Sequence, residues 1–178
     1  MTDMEPIQTT QIADLLEAAP TIVVAELRAL GPESGWRPEV GEWSANECVG
    51  HLLESERRGF AGRIRQILAA PIHAPAALEA WDPPAVAEAR RDHERPGAEL
   101  AAEFVELRAA SVAQVRALDP SDLDRQGIHP TVGVLRVRDV LGEWVHHDRN
   151  HIRQLLEVTQ ARLWGQMGNT RRFSQEDA

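Results

Sequence analysis

Apolar residues recur every three or four positions in four long stretches of this sequence, the spacing that places them on one face of an α-helix. Each such helix can bury its apolar face only against another element, so this pattern constrains the fold more than any other feature. The predicted helices span 8–30, 44–69, 97–118 and 136–163. No stretch shows a convincing strand pattern. We therefore expect an all-α protein, an antiparallel four-helix bundle.

Proline and glycine mark the ends of these predicted helices. Pro20 interrupts the first helix, so we expect a kink or a short break there, and Gly31-Pro32 ends it. Ser44-Ala45-Asn46-Glu47 is a capping box that begins the second helix. Five prolines divide 70–97, the long loop between the second and third helices, so any helix within it, such as 85–94, must be short. A connection of this length is often a lid or the wall of a site.

Composition excludes several classes of protein. The 178 residues suffice for one domain, 1–164, followed by a polar C-terminal tail, 165–178, that we expect to fray. A net charge of −9, with Arg as the only cation and no basic run, argues against nucleic-acid binding. Cys48 is the single cysteine, so no internal disulfide forms. No apolar run spans a membrane, and the acidic, polar start is unlike a signal peptide, so we expect a cytoplasmic protein.

The leading candidates for chemistry are His147 and His151. Two imidazoles four residues apart stack on one face of a helix, near enough to bind one metal ion through one nitrogen each. The pair lies on the apolar stripe of the fourth helix and therefore points into the bundle. His51, the only histidine of the second helix, could supply a third ligand. Three neutral histidines with an open position are typical of a catalytic rather than a structural zinc site.

Simpler explanations of these residues stay open. Seven histidines produce a pair with this spacing by chance in about one sequence in five. His51, His147 and His151 could also be hydrogen-bonded core residues without a metal. His73, His93 and His146 have no partner at ligand spacing, and we expect them to be solvated. Cys48 lies one turn before His51, and we expect a small buried side chain there rather than a nucleophile.

Two other metal-site patterns are excluded. A zincin requires H-E-x-x-H, whereas Asp148 holds the second position here and points about 100° away from His147 on the helix. We expect Asp148 to orient a ligand or to meet an arginine. A ferritin-like di-iron site requires two E-x-x-H pairs, and the chain has one, at 143–146. The sequence does not identify a general base, and Asp148, Glu54 and His129 are weak candidates for that role.

Two parts of the sequence resemble the DinB-like superfamily. The first is Gly41-Glu42-Trp43-Ser44 followed by 48–54, and the second is 128–141 followed by 147–154. Their order and spacing resemble a family pattern of a Trp-Ser helix start, a histidine one or two turns later, and a late helix with H-x-x-x-H-x-x-Q. The likeness covers about residues 8–163.

The resemblance implies a four-helix bundle with one divalent ion held by His51, His147 and His151. It also implies a homodimer. Characterised members include transferases and isomerases that use a low-molecular-weight thiol of the mycothiol, bacillithiol or glutathione class, and many members have no assigned activity. The 70–97 loop matches no familiar pattern, so the resemblance does not identify the small-molecule substrate.

The sequence is therefore compatible with two functions. The first is a metal-dependent thiol transferase or hydrolase, in which the ion activates a thiol or water. Zinc suits three imidazoles best among abundant ions, and nickel would also bind them. The second is a dimeric bundle that binds a metal or small ligand without turnover. An open position facing a cavity favours catalysis, whereas a closed or plugged site favours binding alone.

Overall fold

A computed structural model describes residues 7–175 of the chain. This part contains seven α-helices, and a π-helical turn (Ser55–Gly59) joins the second helix to the third. The helices are α1 (Thr9–Leu30), α2 (Ala45–Glu54), α3 (Phe60–Ala69), α4 (Pro83–Arg90), α5 (Gly97–Arg116), α6 (Val137–Trp164) and α7 (Arg171–Gln175).

Four long helical units, namely α1, α2 with α3, α5, and α6, pack against one another around two apolar clusters. The first cluster includes Leu16, Phe60, Ile64, Val140 and Trp144. The second includes Val23, Leu52, Leu100, Phe104 and Leu155. The four-helix bundle expected from the apolar spacing is confirmed. None of the helices between residues 7 and 175 is long and apolar enough to cross a membrane.

The first helix continues through Pro20, so the short break considered there is wrong. Proline has no backbone N–H, which leaves the carbonyl of Leu16, four residues earlier, without its usual helical donor. Arg108 of α5 replaces that donor, because its Nη1 donates to the Leu16 carbonyl oxygen at 3.0 Å. A tertiary contact therefore satisfies the group that the proline leaves unpaired.

The π-turn changes the direction in which the second helical unit presents its side chains. An ideal α-helix makes about 2.5 turns from His51 to Phe60, which would place the two residues on opposite faces. The wider turn rotates α3 so that Phe60 and His51 face the same side. The ring centroid of His147 lies 5.0 Å from that of His51 and 4.9 Å from that of Phe60. A Cβ at Gly62 would lie 2.1 Å from the carbonyl oxygen of Arg57, so this geometry requires glycine.

A small sheet lies at one end of the bundle, so the expectation of no strands is wrong. β1 (Ala76–Ala77) pairs in parallel with β2 (Gln126–His129), and β2 pairs in antiparallel with β3 (Gly133–Arg136). Strands of two to four residues are too short to display a clear alternation in sequence. Gly133, with φ +78°, closes the turn between β2 and β3. The sheet ties the loop after α3 to the start of α6.

The long connection and the tail contain more structure than expected. The short helix predicted at 85–94 is α4, which begins two residues earlier and ends at Arg90. The predicted polar tail contains a 3-10 turn (Gly168–Thr170) and the short, mainly exposed α7. Residues 176–178 of the tail lie outside the described range.

Candidate metal centre

Three histidines meet between α2 and α6. His51 comes from α2, and His147 and His151 lie on successive turns of α6. His51 Nε2 lies 2.9 Å from His147 Nε2, and one ring nitrogen from each residue lies within 4.8 Å of the others. The His151 ring centroid is 4.4 Å from each of the other two. The structure therefore brings together the three residues that the sequence analysis selected.

Burial keeps these imidazoles neutral. It lowers the pKa of His51 to about 4 and that of His147 to about 3, and neighbouring rings add to both shifts. Burial also lowers the pKa of His151, although the contact with Gln154 opposes it. Neutral imidazole is the form that binds metal ions, so no proton has to leave before an ion binds at neutral pH.

Hydrogen bonding leaves one nitrogen of each ring available. His151 Nδ1 lies 3.0 Å from Gln154 Oε1 and can donate to it, which leaves His151 Nε2 with a free lone pair. The Nε2 atoms of His51 and His147 face each other, and two lone pairs at 2.9 Å repel unless a proton or a cation lies between them. His147 Nδ1 is buried without a hydrogen-bond partner. The Nε2 atoms of the three histidines fit a divalent transition-metal ion.

Aromatic side chains enclose the histidines. The Trp43 ring, immediately before the helix cap, lies 5.1 Å from that of His51. The Trp81 ring, from the long connection, stacks on His51 at 5.7 Å. The long connection therefore contributes one wall of the histidine cluster. Trp81 could not be predicted as part of the site, because nothing in its local sequence pattern distinguishes it, whereas Trp43 belongs to the Trp-Ser motif.

A cavity of about 470 Å³ lies beside His151. Trp43, Gln154, Glu42 and Glu157 are among the residues that line it. One side of the histidine cluster therefore faces space that a small molecule can enter. A larger, mainly apolar groove of about 790 Å³ runs between α1 and α5, but none of the three histidines lines it.

Two of the candidate general bases already have charged partners. Asp148 is buried and forms two hydrogen bonds with Arg108, which confirms that it meets an arginine. Glu54 is buried and ion-paired with three arginines. Burial raises the pKa of Glu54, but the arginines outweigh this effect and lower it below the ordinary value. Both carboxylates are therefore occupied in charge pairs.

The remaining histidines lie outside the cluster. His129, the third candidate base, is buried at the end of β2. His73 and His146 are exposed, as expected. His93, which was expected to be solvated, is half-buried, and its Nδ1 lies 3.7 Å from a carboxylate oxygen of Glu47.

Cys48 and Trp144 are core residues. The Cys48 side chain is completely buried, and burial raises its pKa to about 12, so the thiol stays protonated. The Trp144 ring stacks on Phe60 at 5.4 Å and is 1% exposed. The burial of Cys48 agrees with the packing role that its sequence position predicts.

Comparison with known proteins agrees with this architecture. The chain superposes on YfiT from Bacillus subtilis with a TM-score of 0.77 and 21% identity, over 90% of each chain. That protein is described as "a probable metal-dependent hydrolase with an unusual four-helix bundle topology". No curated protein matches the sequence. A model of the DinB superfamily matches residues 15–155, from α1 into the second half of α6. The protein therefore belongs to the DinB superfamily.

Proposed function

We propose that this protein is a divalent-metal-dependent enzyme in which His51, His147 and His151 hold the ion. The observation that carries the proposal is the convergence of three neutral imidazoles beside a cavity. Three protein ligands leave a coordination position for a substrate, which is the usual arrangement of a catalytic site. The description of YfiT as a probable metal-dependent hydrolase supports the same class of function.

When bound, the ion would lower the pKa of a thiol or water and polarise an electrophile. The side chains of the protein arrange the ligands for this chemistry. Gln154 fixes the His151 ring, because its Oε1 can accept the Nδ1 proton. Arg108 anchors Asp148 in the core and so fixes the turn of α6 that carries His147. Trp43 and Trp81 cover His51 and limit the access of bulk water.

Within this class, we propose a transferase that uses a low-molecular-weight thiol, with zinc as the metal. Imidazole ligands suit zinc, and nickel is the alternative ion. Hydrolysis is the second form of the proposal, with water in place of the thiol. The homodimer and the cytoplasmic location expected from the sequence stay predictions.

A binding protein without turnover is the alternative function. The observation that favours it is the pairing of Glu54 and Asp148 with arginines, which leaves neither carboxylate available as a general base. Under this alternative the same histidines would still hold a metal. Metal content alone therefore does not separate the two functions.

A reaction screen of the metal-loaded protein tests the proposal. The protein is incubated with mycothiol, bacillithiol or glutathione and several electrophiles, and with ester and amide substrates in the absence of thiol. We expect turnover by the wild type and by His146→Ala, whose side chain is exposed. His147→Ala should lose that turnover. Thiol-dependent products would support a transferase and thiol-independent products a hydrolase, whereas stoichiometric metal without turnover would favour binding alone.

A further inference from the structure

Arg63 is a half-buried arginine without a carboxylate partner in residues 7–175. Its Nε is buried and has no hydrogen-bond partner. Its Nη2 lies 3.1 Å from His129 Nε2. Burial lowers the pKa of Arg63, the direction expected of a cation removed from water without a counter-ion. A buried, unpaired donor of this kind is unfavourable unless an acceptor reaches it.

The hydrogen bonding of His129 shows that it cannot be that acceptor. Its Nδ1 accepts the backbone N–H of Thr131 at 3.2 Å. A neutral imidazole with an accepting Nδ1 carries its proton on Nε2. Burial and the charge of Arg63 lower the pKa of His129, which favours this neutral form. His129 Nε2–H and Arg63 Nη2–H are therefore two donors that face each other without an acceptor.

Helix α3 links these donors to the metal centre. Arg63 is one turn after Phe60 on α3, and three residues along a helix share a face and rise about 4.5 Å. The Phe60 ring is 4.9 Å from that of His147. One turn beyond Arg63, Ile67 packs against Gly127 of β2, so the strand lies along α3 and presents His129 to Arg63.

We propose that Arg63 and His129 bind a carboxylate group of the substrate or thiol co-substrate of the metal centre. The Nε and Nη2 edge of a guanidinium matches the two oxygens of a carboxylate, and His129 Nε2–H supplies a third donor. One guanidinium charge beside a neutral imidazole suits a singly charged carboxylate better than a doubly charged phosphate. This inference rests on the proposed function for its substrate, but the anion site itself can be tested without metal.

The first experiment uses the metal-free protein. Acetate and inorganic phosphate are titrated separately at constant ionic strength, and NMR follows the ring resonances of His129. We expect acetate to produce a saturable shift in the wild type and in Arg65→Gln, and none in Arg63→Gln. Arg65 is a matched control, since it lies on the same helix and is exposed. No shift with acetate, an equal shift in Arg63→Gln, or a response to phosphate alone would overturn the carboxylate site.

The second experiment uses cobalt-loaded protein. Mercapto-carboxylic acids of increasing chain length are compared with mercapto-alcohols of equal length, and the thiolate-to-cobalt absorption band reports binding. At the best length we expect the acid to bind about tenfold more tightly than the alcohol, the size expected for a charge-assisted hydrogen bond. Arg63→Gln should remove that preference without changing cobalt content or alcohol affinity.

The two experiments separate the two claims. Equal affinities for acid and alcohol at every length would contradict a carboxylate site that serves the metal centre. Failure to bind any transition metal would contradict the proposed function, while the acetate titration would still decide whether Arg63 and His129 bind an anion.

Discussion

Arg108 Nη1 donates to the carbonyl oxygen of Leu16 at 3.0 Å. The buried guanidinium thus supplies the hydrogen-bond donor that Pro20 of α1 lacks. The same guanidinium donates to Glu56 through Nε at 2.5 Å and to both carboxylate oxygens of Asp148, at 2.5 and 3.1 Å. These bonds join α1, α5, the π-turn and α6. Because Asp148 adjoins His147, they also hold one predicted metal ligand in place.

Replacing Arg108 should therefore destabilise the fold strongly. We expect Arg108→Met to lower the free energy of unfolding by about 3–5 kcal/mol at neutral pH, because Glu56 and Asp148 would be buried without a cation. Burial raises the pKa of both carboxyl groups, so protonation at lower pH should reduce the loss. Urea unfolding measures both effects.

The matched control for this change is Arg116→Met. Arg116 lies on the same helix and forms exposed ion pairs with Asp14 and Glu17, so the variant should change stability far less than Arg108→Met does. Equal losses in the two variants would contradict a special role for the buried network.

A second prediction concerns two glycines in helices. A Cβ at Gly50 would lie 1.9 Å from Oδ2 of Asp92, a buried carboxylate held by Arg90 and Arg95. We expect Gly50→Ala to cost about 1–3 kcal/mol through overpacking. Gly142 has no atom within 4 Å of such a Cβ, so Gly142→Ala should stabilise α6 by up to about 1 kcal/mol. Thermal unfolding measures both, and a neutral Gly50→Ala would contradict the close contact.

The sequence predicted the helices and the three histidines because both depend on local spacing. Apolar periodicity identifies a helical face directly, and a four-residue separation places His147 and His151 on one side of α6. The position of His51 on its helix could also be read from the sequence. Its meeting with the other two was expected from the bundle and from the family resemblance, and the structure confirms that they lie together.

Other features could not be predicted because they depend on contacts between distant segments. The π-turn, the small sheet and the stacking of Trp81 on His51 have no periodic signal. The close approach of the Arg57 carbonyl oxygen to Gly62, within the same helical unit, has no sequence signal either.

The pH dependence of the metal-free protein follows from the buried histidines. The folded-state pKa is about 4 for His51 and about 3 for His147, below the ordinary 6.5 expected in the unfolded chain. Between these values the unfolded chain binds more protons, so the free energy of unfolding should fall as the pH falls from about 6.5 towards about 4. Urea unfolding across this range, with metal removed, measures the slope.

Variants separate these histidines from other titrating groups. His51→Phe should have a shallower slope than the wild type, because it removes one group whose protonation opposes folding. His146→Ala changes an exposed residue and should retain the wild-type slope. An unchanged slope in His51→Phe would show that burial of this imidazole does not govern the dependence.

The buried thiol of Cys48 should be unreactive in the folded protein. Burial raises its pKa to about 12, and the thiolate is the reactive form. We expect labelling by a thiol reagent to be slow in native buffer and rapid in denaturant, as mass spectrometry would record. Cys48→Ala should retain the metal and any activity. Rapid labelling of native protein, or loss of activity in that variant with metal retained, would return Cys48 to consideration as a nucleophile.

Elemental analysis of protein purified without a chelator and without a nickel affinity step tests the central claim most directly. The convergence of His51, His147 and His151 predicts about one divalent transition-metal ion per chain. That ion should be lost in His147→Ala and retained in His146→Ala. A wild-type protein without stoichiometric transition metal, or unchanged metal content in His147→Ala, would contradict it.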